Sequence, residues 1–152
     1  MAYRKIIQVG DPLLREISQP VEKVDDEIVT LLDDMKETVE KAEGAGLAAV
    51  QIGVLKRVFV INVEEGYFEF INPQIVKQAG SQKGKEGCLS VQHKVGIVER
   101  PNKVVVKALD RNGKAFKLTA YGFAAKAVCH EYDHLEGILY TDKALSIEAS
   151  DQ

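Results

Sequence analysis

The sequence predicts an α+β fold in which helices pack against antiparallel strands. Near the N-terminus, apolar residues recur with a helical period, and an alanine-rich segment without proline occupies the last third. Between them lie short segments rich in β-branched and aromatic residues, which favour strands. Most connections between these segments are too short for parallel crossovers, so antiparallel pairing is expected.

The first helix is predicted from Asp25 to Ala42. Asp25 and Asp26 are candidates for its N-cap, and Gly44 can end it. Its apolar residues are spaced by three or four and form one face: Ile28, Leu31, Leu32, Met35 and Val39. This pattern is typical of a helix that packs on a core.

Five extended segments follow, divided by residues that favour turns. They are 57–63, 67–71, 95–98, 104–109 and 115–120. The run from Asp110 to Gly113 between the last two contains Asn-Gly, which indicates a tight hairpin.

A second helix is predicted from about Tyr121 to Glu136, with Gly137 as its stop. The 152 residues are then a single domain, 1–152, with a C-terminal tail from about residue 143 to residue 152 that is expected to be disordered.

Composition excludes several classes of protein. Hydrophobic residues make up 45% and charged residues 28%, as in a globular protein, and the formal charge of −3 provides no general attraction to nucleic acid or anionic lipid. The sequence shows no secretion signal and no apolar run long enough to span a membrane, so we expect a cytoplasmic protein. In that reducing compartment Cys88 and Cys129 should not form a structural disulfide.

The second helix contains the sequence His130-Glu131-Tyr132-Asp133-His134. Four residues advance a helix by about 400°, so both imidazoles project from one face and can bind one metal ion. A chain of this composition would contain about 0.005 such motifs by chance, which makes two unrelated surface histidines a weak alternative.

A catalytic metal site usually has three protein ligands and one exchangeable water, so a third ligand must come from elsewhere. The residues leave three candidates: His93, Cys88 and Cys129. Cys129 points about 100° away from His130 around the helix and is better explained as a buried core residue. Cys88 follows a glycine-rich segment and has only a modest preference over a structural thiol, and His93 is otherwise a surface histidine.

Three segments, in order and spacing, resemble the signature motifs of the peptide deformylase family. They are Gly44-Ala45-Gly46-Leu47-Ala48-Ala49-Val50-Gln51, Glu86-Gly87-Cys88-Leu89-Ser90, and His130-Glu131-Tyr132-Asp133-His134-Leu135-Glu136-Gly137. The opening Gly10-Asp11-Pro12-Leu13-Leu14-Arg15 is also similar to the start of that family. The resemblance implies antiparallel sheets around a central metal-binding helix. The implied activity is removal of the N-formyl group from the initiator methionine of nascent proteins, with release of formate.

The resemblance also implies the residue roles. Cys88, His130 and His134 would bind the metal, Glu131 would transfer protons, and the Gln51 side chain with the Leu89 backbone N–H would stabilise the oxyanion. The implied ion is Fe2+, with zinc, nickel or cobalt as alternatives. The implied substrate-binding residues are Gly44, Ala45, Gly46, Leu47, Glu86, Gly87 and Arg100. Glu86 and Arg100 resemble an ion pair of the family that shapes the pocket. From the residues alone, Gln51 is an ordinary polar residue, and solvated surface charges are the alternative for Glu86 and Arg100.

Three departures from the family pattern stand out. Gln92-His93 replaces the usual proline and glycine, and Cys129 replaces a frequent glutamine. In addition, only 18 residues follow His134, and this short tail argues against a C-terminal helix that docks on the ribosome. Formylmethionyl peptides of nascent chains are the expected partners of a monomer, with a transient ribosome contact and without direct nucleic acid or membrane binding. The alternatives are a His-Glu-x-x-His metallopeptidase and a non-catalytic binding homologue.

Overall fold

A computed structural model gives the fold of residues 2–150. Its three α-helices are α1 (Asp26–Lys41), α2 (Gly122–Leu135) and α3 (Tyr140–Lys143). The strands are β1 (Gly46–Ala48), β2 (Val58–Val63), β3 (Gly66–Ala79), β4 (Gln82–Cys88), β5 (Val91–Arg100), β6 (Lys103–Leu109), β7 (Ala115–Tyr121) and β8 (Ser146–Ala149).

The strands form two antiparallel sheets, as the short connections predict. One sheet has five strands in the order β1-β2-β3-β6-β7, and the other has three in the order β4-β5-β8. The predicted hairpin after Leu109 joins β6 to β7, and its turn is closed by the backbone bond from Gly113 N–H to the Asp110 carbonyl. The α+β class with antiparallel sheets is therefore confirmed.

Helix α1 begins and ends close to its predicted limits. The Asp25 side chain accepts a hydrogen bond from the Ile28 backbone N–H, which satisfies one of the unpaired donors at the helix start. Its predicted apolar face is buried against β1 and β2, where it packs on Leu47, Val58 and Val60. This packing holds β1 in place from one side.

Helix α2 is the central helix between the two sheets. Its small and apolar residues, including Ala125 and Val128, pack on the opposite face of the five-stranded sheet from α1. Gly137, at a positive φ of 73°, follows its end and lies directly against the Arg15 carbonyl, where a side chain would not fit. The helix therefore stops where the sequence predicts.

Several strands differ from the prediction. Strand β3 continues past Ile71 to Ala79 because a register shift between Ile71 and Gln74 accommodates Pro73, which lacks an N–H for the ladder. Strands β1 and β4 were not predicted. In the tail, Ser146–Ala149 pairs with β5, and residues 151 and 152 lie outside the described residues. The single-domain assignment stays a prediction.

Of the helices in residues 2–150, none combines the length and the apolar character that a membrane crossing needs.

Candidate active site

Three side chains with metal-binding atoms meet between the two sheets. Cys88, His130 and His134 place their ligand atoms within 4.8 Å of one another, and Cys88 Sγ lies 3.4 Å from His134 Nε2. Both histidines are buried, whereas Cys88 is half-buried. One thiolate and two imidazoles are a donor set that suits zinc, iron, cobalt or nickel.

Local structure explains why these residues meet. His130 and His134 lie one turn apart on α2, and their ring centroids are 5.1 Å apart. Cys88 ends β4 at the tight connection to β5, where it pairs with Val91. The predicted grouping of a thiol with the helical histidine pair is thus present in the structure.

A buried carboxylate orients one of the imidazoles. The Nδ1–H of His130 donates to Glu86 Oε1 at 2.9 Å, which leaves Nε2 to face the cluster. Such a carboxylate contact behind a metal-binding histidine fixes its ring and its tautomer. Burial disfavours the charged form of the His130 ring and by itself would lower its pKa. The contacts with Cys88 and Glu86 outweigh this effect and hold the pKa of His130 above its usual value. For His134 the same burial lowers the pKa well below the usual value.

Glu86 is itself held by Arg100, which makes two hydrogen bonds of 2.9 Å to the carboxylate. Arg100 also donates to Asp133 Oδ2 at 2.7 Å. Glu86 and Arg100 are both buried, so they are not the solvated surface charges that were the alternative from the residues alone. Burial alone would raise the pKa of Glu86, but the bonds from Arg100 and His130 lower it to about 2. The carboxylate is therefore ionised at neutral pH.

Glu131 follows His130 and is not a member of the three-ligand group. Its side chain is buried, and its Oε1 has no hydrogen-bond partner among the described residues. Desolvation raises the pKa of Glu131 to about 7. A carboxyl group with a pKa near neutrality can both accept and release a proton at physiological pH.

Glu131 also lies against the backbone of β1. A Cβ atom on Gly46 would stand only 2.7 Å from Glu131 Oε2 and 2.9 Å from its Cγ. A glycine at this position therefore leaves the space that the carboxyl group occupies.

Gln51 is buried in the short turn after β1 and is fixed by three contacts. Its Oε1 accepts the Ala48 N–H at 2.9 Å, and its Nε2 donates to Ser90 Oγ at 3.0 Å. The same Nε2 lies 3.6 Å from Cys88 Sγ, which places the amide donor beside the metal-binding cluster. The N-terminal segment supports this turn from outside, since the Ile7 N–H donates to the Gln51 carbonyl.

The cluster opens into a cavity of about 800 Å³. Of the predicted residues, the cavity is lined by Gly44, Ala45, Gly46, Gln51, Glu86, Gly87, Cys88, Leu89, His130 and Glu131. Gln92 and His93, which depart from the family pattern, also line it.

Two predicted substrate-binding residues do not line this cavity. Leu47 points to the opposite face of β1 and packs in the core beneath α1, because neighbouring residues of a strand face opposite sides. Arg100 lies behind Glu86 and reaches the cavity only through that carboxylate. Side-chain contact with substrate is therefore not available to either residue.

The two remaining candidates for the third ligand lie elsewhere. Cys129 is buried in the core of α2, as predicted, and burial raises the pKa of its thiol to about 11. His93 is exposed at the rim of the cavity, with a positive φ of 66°. Neither belongs to the three-ligand group.

Three structured side chains around the site were not predicted to have a role. Ser90 holds Gln51, Asp133 binds both Arg100 and Lys143, and Tyr140 stacks on His130 at 6.0 Å between ring centroids. Ser90 and Asp133 lie inside two of the three family motifs, so their position in the sequence could have indicated a role at the site. Tyr140 comes from α3, and nothing in its local sequence indicates the contact.

Comparison with known proteins gives a consistent result. The family model for polypeptide deformylase matches residues 3–150. The peptide deformylase of Caldicellulosiruptor bescii is 53% identical over 152 residues, which are 100% of this chain and 92% of that protein. That of Acetivibrio thermocellus is 51% identical, over 100% of this chain and 89% of the relative.

Solved structures give the same family. The peptide deformylase of Ehrlichia chaffeensis in complex with actinonin has a TM-score of 0.93 at 42% identity, covering 96% of this chain and 90% of that one. The enzyme of Thermotoga maritima has a TM-score of 0.92 at 35% identity, covering 96% and 99%.

Proposed function

Since this chain belongs to the peptide deformylase family of metal-dependent hydrolases, which remove N-formyl groups from N-terminal methionine, we propose how its own residues perform that reaction. Membership in this family argues against the metallopeptidase alternative. The observation that carries the proposal is the grouping of the ligand atoms of Cys88, His130 and His134. Cys88 and His130 line the same cavity as Glu131.

We propose that Cys88, His130 and His134 hold one divalent ion. Their burial, their mutual distances and the Glu86 contact behind His130 all fit this task. A bound divalent ion would lower the pKa of a water molecule and polarise a carbonyl oxygen. Family resemblance favours Fe2+, and the donor set also suits zinc, nickel or cobalt.

Glu131 is the proposed proton-transfer group. It would accept a proton from the attacking water and return it to the nitrogen of the departing amine as the C–N bond to the formyl group breaks. The products are formate and a peptide with a free N-terminal methionine. A buried carboxyl group with a pKa of about 7 suits both half-steps.

Gln51 and Leu89 are the proposed donors to the carbonyl oxygen, which gains negative charge as the water attacks. The Gln51 amide is held in advance by Ala48 and Ser90, so little reorganisation accompanies the reaction. Loss of one such donor typically costs about 2.7 to 4 kcal/mol of barrier.

The free edge of β1 is the proposed binding site for the peptide backbone. Strand β1 is at the edge of its sheet, and Ala45 and Leu47 direct their backbone groups towards β2, since the Asn62 N–H donates to the Ala45 carbonyl. By the alternation of an antiparallel ladder, the N–H and C=O of Gly46 point to the open side. A substrate strand can pair there, so Leu47 would contribute only through its position in this strand.

We further propose that the protein acts as a monomer in the cytoplasm on nascent chains. A transient contact with the ribosome would bring the enzyme to its substrate as it emerges.

Arg100 would position His130 through Glu86 rather than touch the peptide.

The direct test compares three peptides under equal conditions. Formate release from formyl-Met-Ala-Ser should be fast, and acetyl-Met-Ala-Ser should be cleaved far more slowly, because the added methyl group needs room between Gln51 and Leu89. An unformylated peptide with internal bonds should remain intact. Comparable kcat/KM values for the formyl and acetyl peptides would contradict the proposed pocket.

A further inference from the structure

Helix α1 covers only part of the face of the five-stranded sheet on which it packs. Helix α1 packs on β1 and β2, and its cover ends near Ile71 and Leu109. Beyond that point the same face of β3, β6 and β7 is exposed or half-buried. Its residues, given by the strand register, are Gln74, Lys77, Ala79, Lys103, Val105, Lys107, Ala115, Lys117, Thr119 and Tyr121. We call these ten residues the open sheet face.

The charges on the open sheet face all have one sign. Lys77, Lys103, Lys107 and Lys117 are its charged residues, and it contains no carboxylate. The whole chain has more acidic than basic residues, 23 against 20, so a face with lysine alone is unusual for this composition. Among the described residues, none of these lysines forms an ion pair.

Two of these lysines are held directly opposite each other. Lys107 pairs with Lys117 across β6 and β7, so their side chains project side by side from the same face. Like charges in this arrangement repel and destabilise the strand pair. An anion that binds between the two ammonium groups would remove the repulsion.

We propose that the open sheet face binds single-stranded RNA through its phosphates. Lys103 and Lys107 are four residues apart, so the lysines span about 13 Å along the strand. A stacked strand rises about 3.4 Å per nucleotide, and the face therefore covers about four nucleotides.

An exposed aromatic ring adds a contact for a base. Tyr121 is 59% exposed at the end of the row that contains Lys103, whose ammonium lies 5.9 Å from the ring centroid. Flat surfaces that combine lysines with an aromatic ring bind single-stranded nucleic acid by stacking and charge. An acidic protein fits less well, because lysine is depleted at protein–protein interfaces. The face is built from different residues than the cavity, so RNA and a formylated peptide can bind together.

The test measures fluorescence anisotropy of a labelled oligouridylate of about twelve nucleotides, a length within the usual site size. With four phosphate contacts, the slope of log association constant against log salt should be about −2.8. Affinity should therefore fall about 50-fold between about 50 and 200 mM salt.

Matched variants separate this face from general charge. Lys107→Gln with Lys117→Gln should halve the slope to about −1.4, whereas Lys5→Gln with Lys56→Gln, which removes the same charge elsewhere, should leave it unchanged. Lys107→Arg with Lys117→Arg should restore binding. Formate release from formyl-Met-Ala-Ser should be equal in all variants, which shows that they fold.

Three outcomes would overturn the proposal. The first is no RNA binding by the parent protein, and the second is an equal loss in both glutamine double variants. The third is binding to vesicles of equimolar phosphatidylcholine and phosphatidylglycerol without binding to RNA, which would assign the face to a membrane surface.

Discussion

Substitution of Gly46 by alanine tests the link between β1 and the proton-transfer group. The added Cβ would lie 2.7 Å from Glu131 Oε2, whereas ordinary contact begins at 3.4 Å, so the carboxyl group must move by about 0.7 Å. Gly46 is not among the residues at positive φ, so alanine is compatible with its backbone. The substitution should therefore displace Glu131 without breaking the strand.

The size of the effect follows from this displacement. A misplacement of about 1 Å can lower a rate about 100-fold, so a shift of about 0.7 Å should lower kcat/KM about 25-fold. This factor corresponds to about 1.9 kcal/mol of barrier. The tight contact should also lower the free energy of unfolding by about 1 to 3 kcal/mol, partly offset by about 0.4 to 1 kcal/mol from the stiffer unfolded chain.

The assay is formate release by protein of measured metal content. Gly84→Ala is the matched control, because its added Cβ would meet only the flexible end of Lys126. At equal metal content, kcat/KM should fall strongly in Gly46→Ala and only slightly in Gly84→Ala. Parent-like kcat/KM in Gly46→Ala would refute the assigned position of Glu131.

The remaining predictions concern the metal site. Cys88→Ala should lose tight metal binding together with activity, whereas Cys129→Ala should keep both and lower the free energy of unfolding by about 1 kcal/mol, measured by metal analysis and denaturation. If the Cys129 variant is the one without metal, the choice of ligand is wrong. Protein purified without oxygen should carry iron and lose activity in air with Cys88 oxidised, while nickel or cobalt protein stays active. Full activity of aerated iron protein, with Cys88 reduced by mass spectrometry, would contradict this.

The sequence predicts the helices and the metal-binding cluster because their signals are local or lie inside motifs. The period of apolar residues places α1, and the spacing of His130 and His134 places both rings on one face. The thiol joins them only through the fold, so its choice over His93 depended on family resemblance.

The features that the sequence does not predict are two strands and one buried ion pair, and each of them depends on contacts between segments that are distant in the chain. Strand β1 is three residues long and contains Gly46 and Ala48, which have little strand propensity, so its pairing with β2 defines it. Strand β4 is rich in glycine, lysine and glutamine and gives no apolar alternation. The burial of the pair formed by Glu86 and Arg100 follows from the packing of this hairpin on α2.

The net charge of the chain does not describe how charge is distributed over its surface. The total of −3 gives no reason to expect nucleic acid, yet Lys77, Lys107 and Lys117 meet on one face only through strand register. Because these lysines lie far apart in the sequence, no local pattern of residues predicts that they form a cluster.

The most direct test of the proposed mechanism is formate release by Glu131→Gln protein whose metal content is measured in the same sample. Because Glu131 is assigned to proton transfer and not to the ligand set, the variant should keep its metal while kcat falls about 10² to 10⁴-fold. Loss of the metal, or parent-like turnover with the metal retained, would contradict the account.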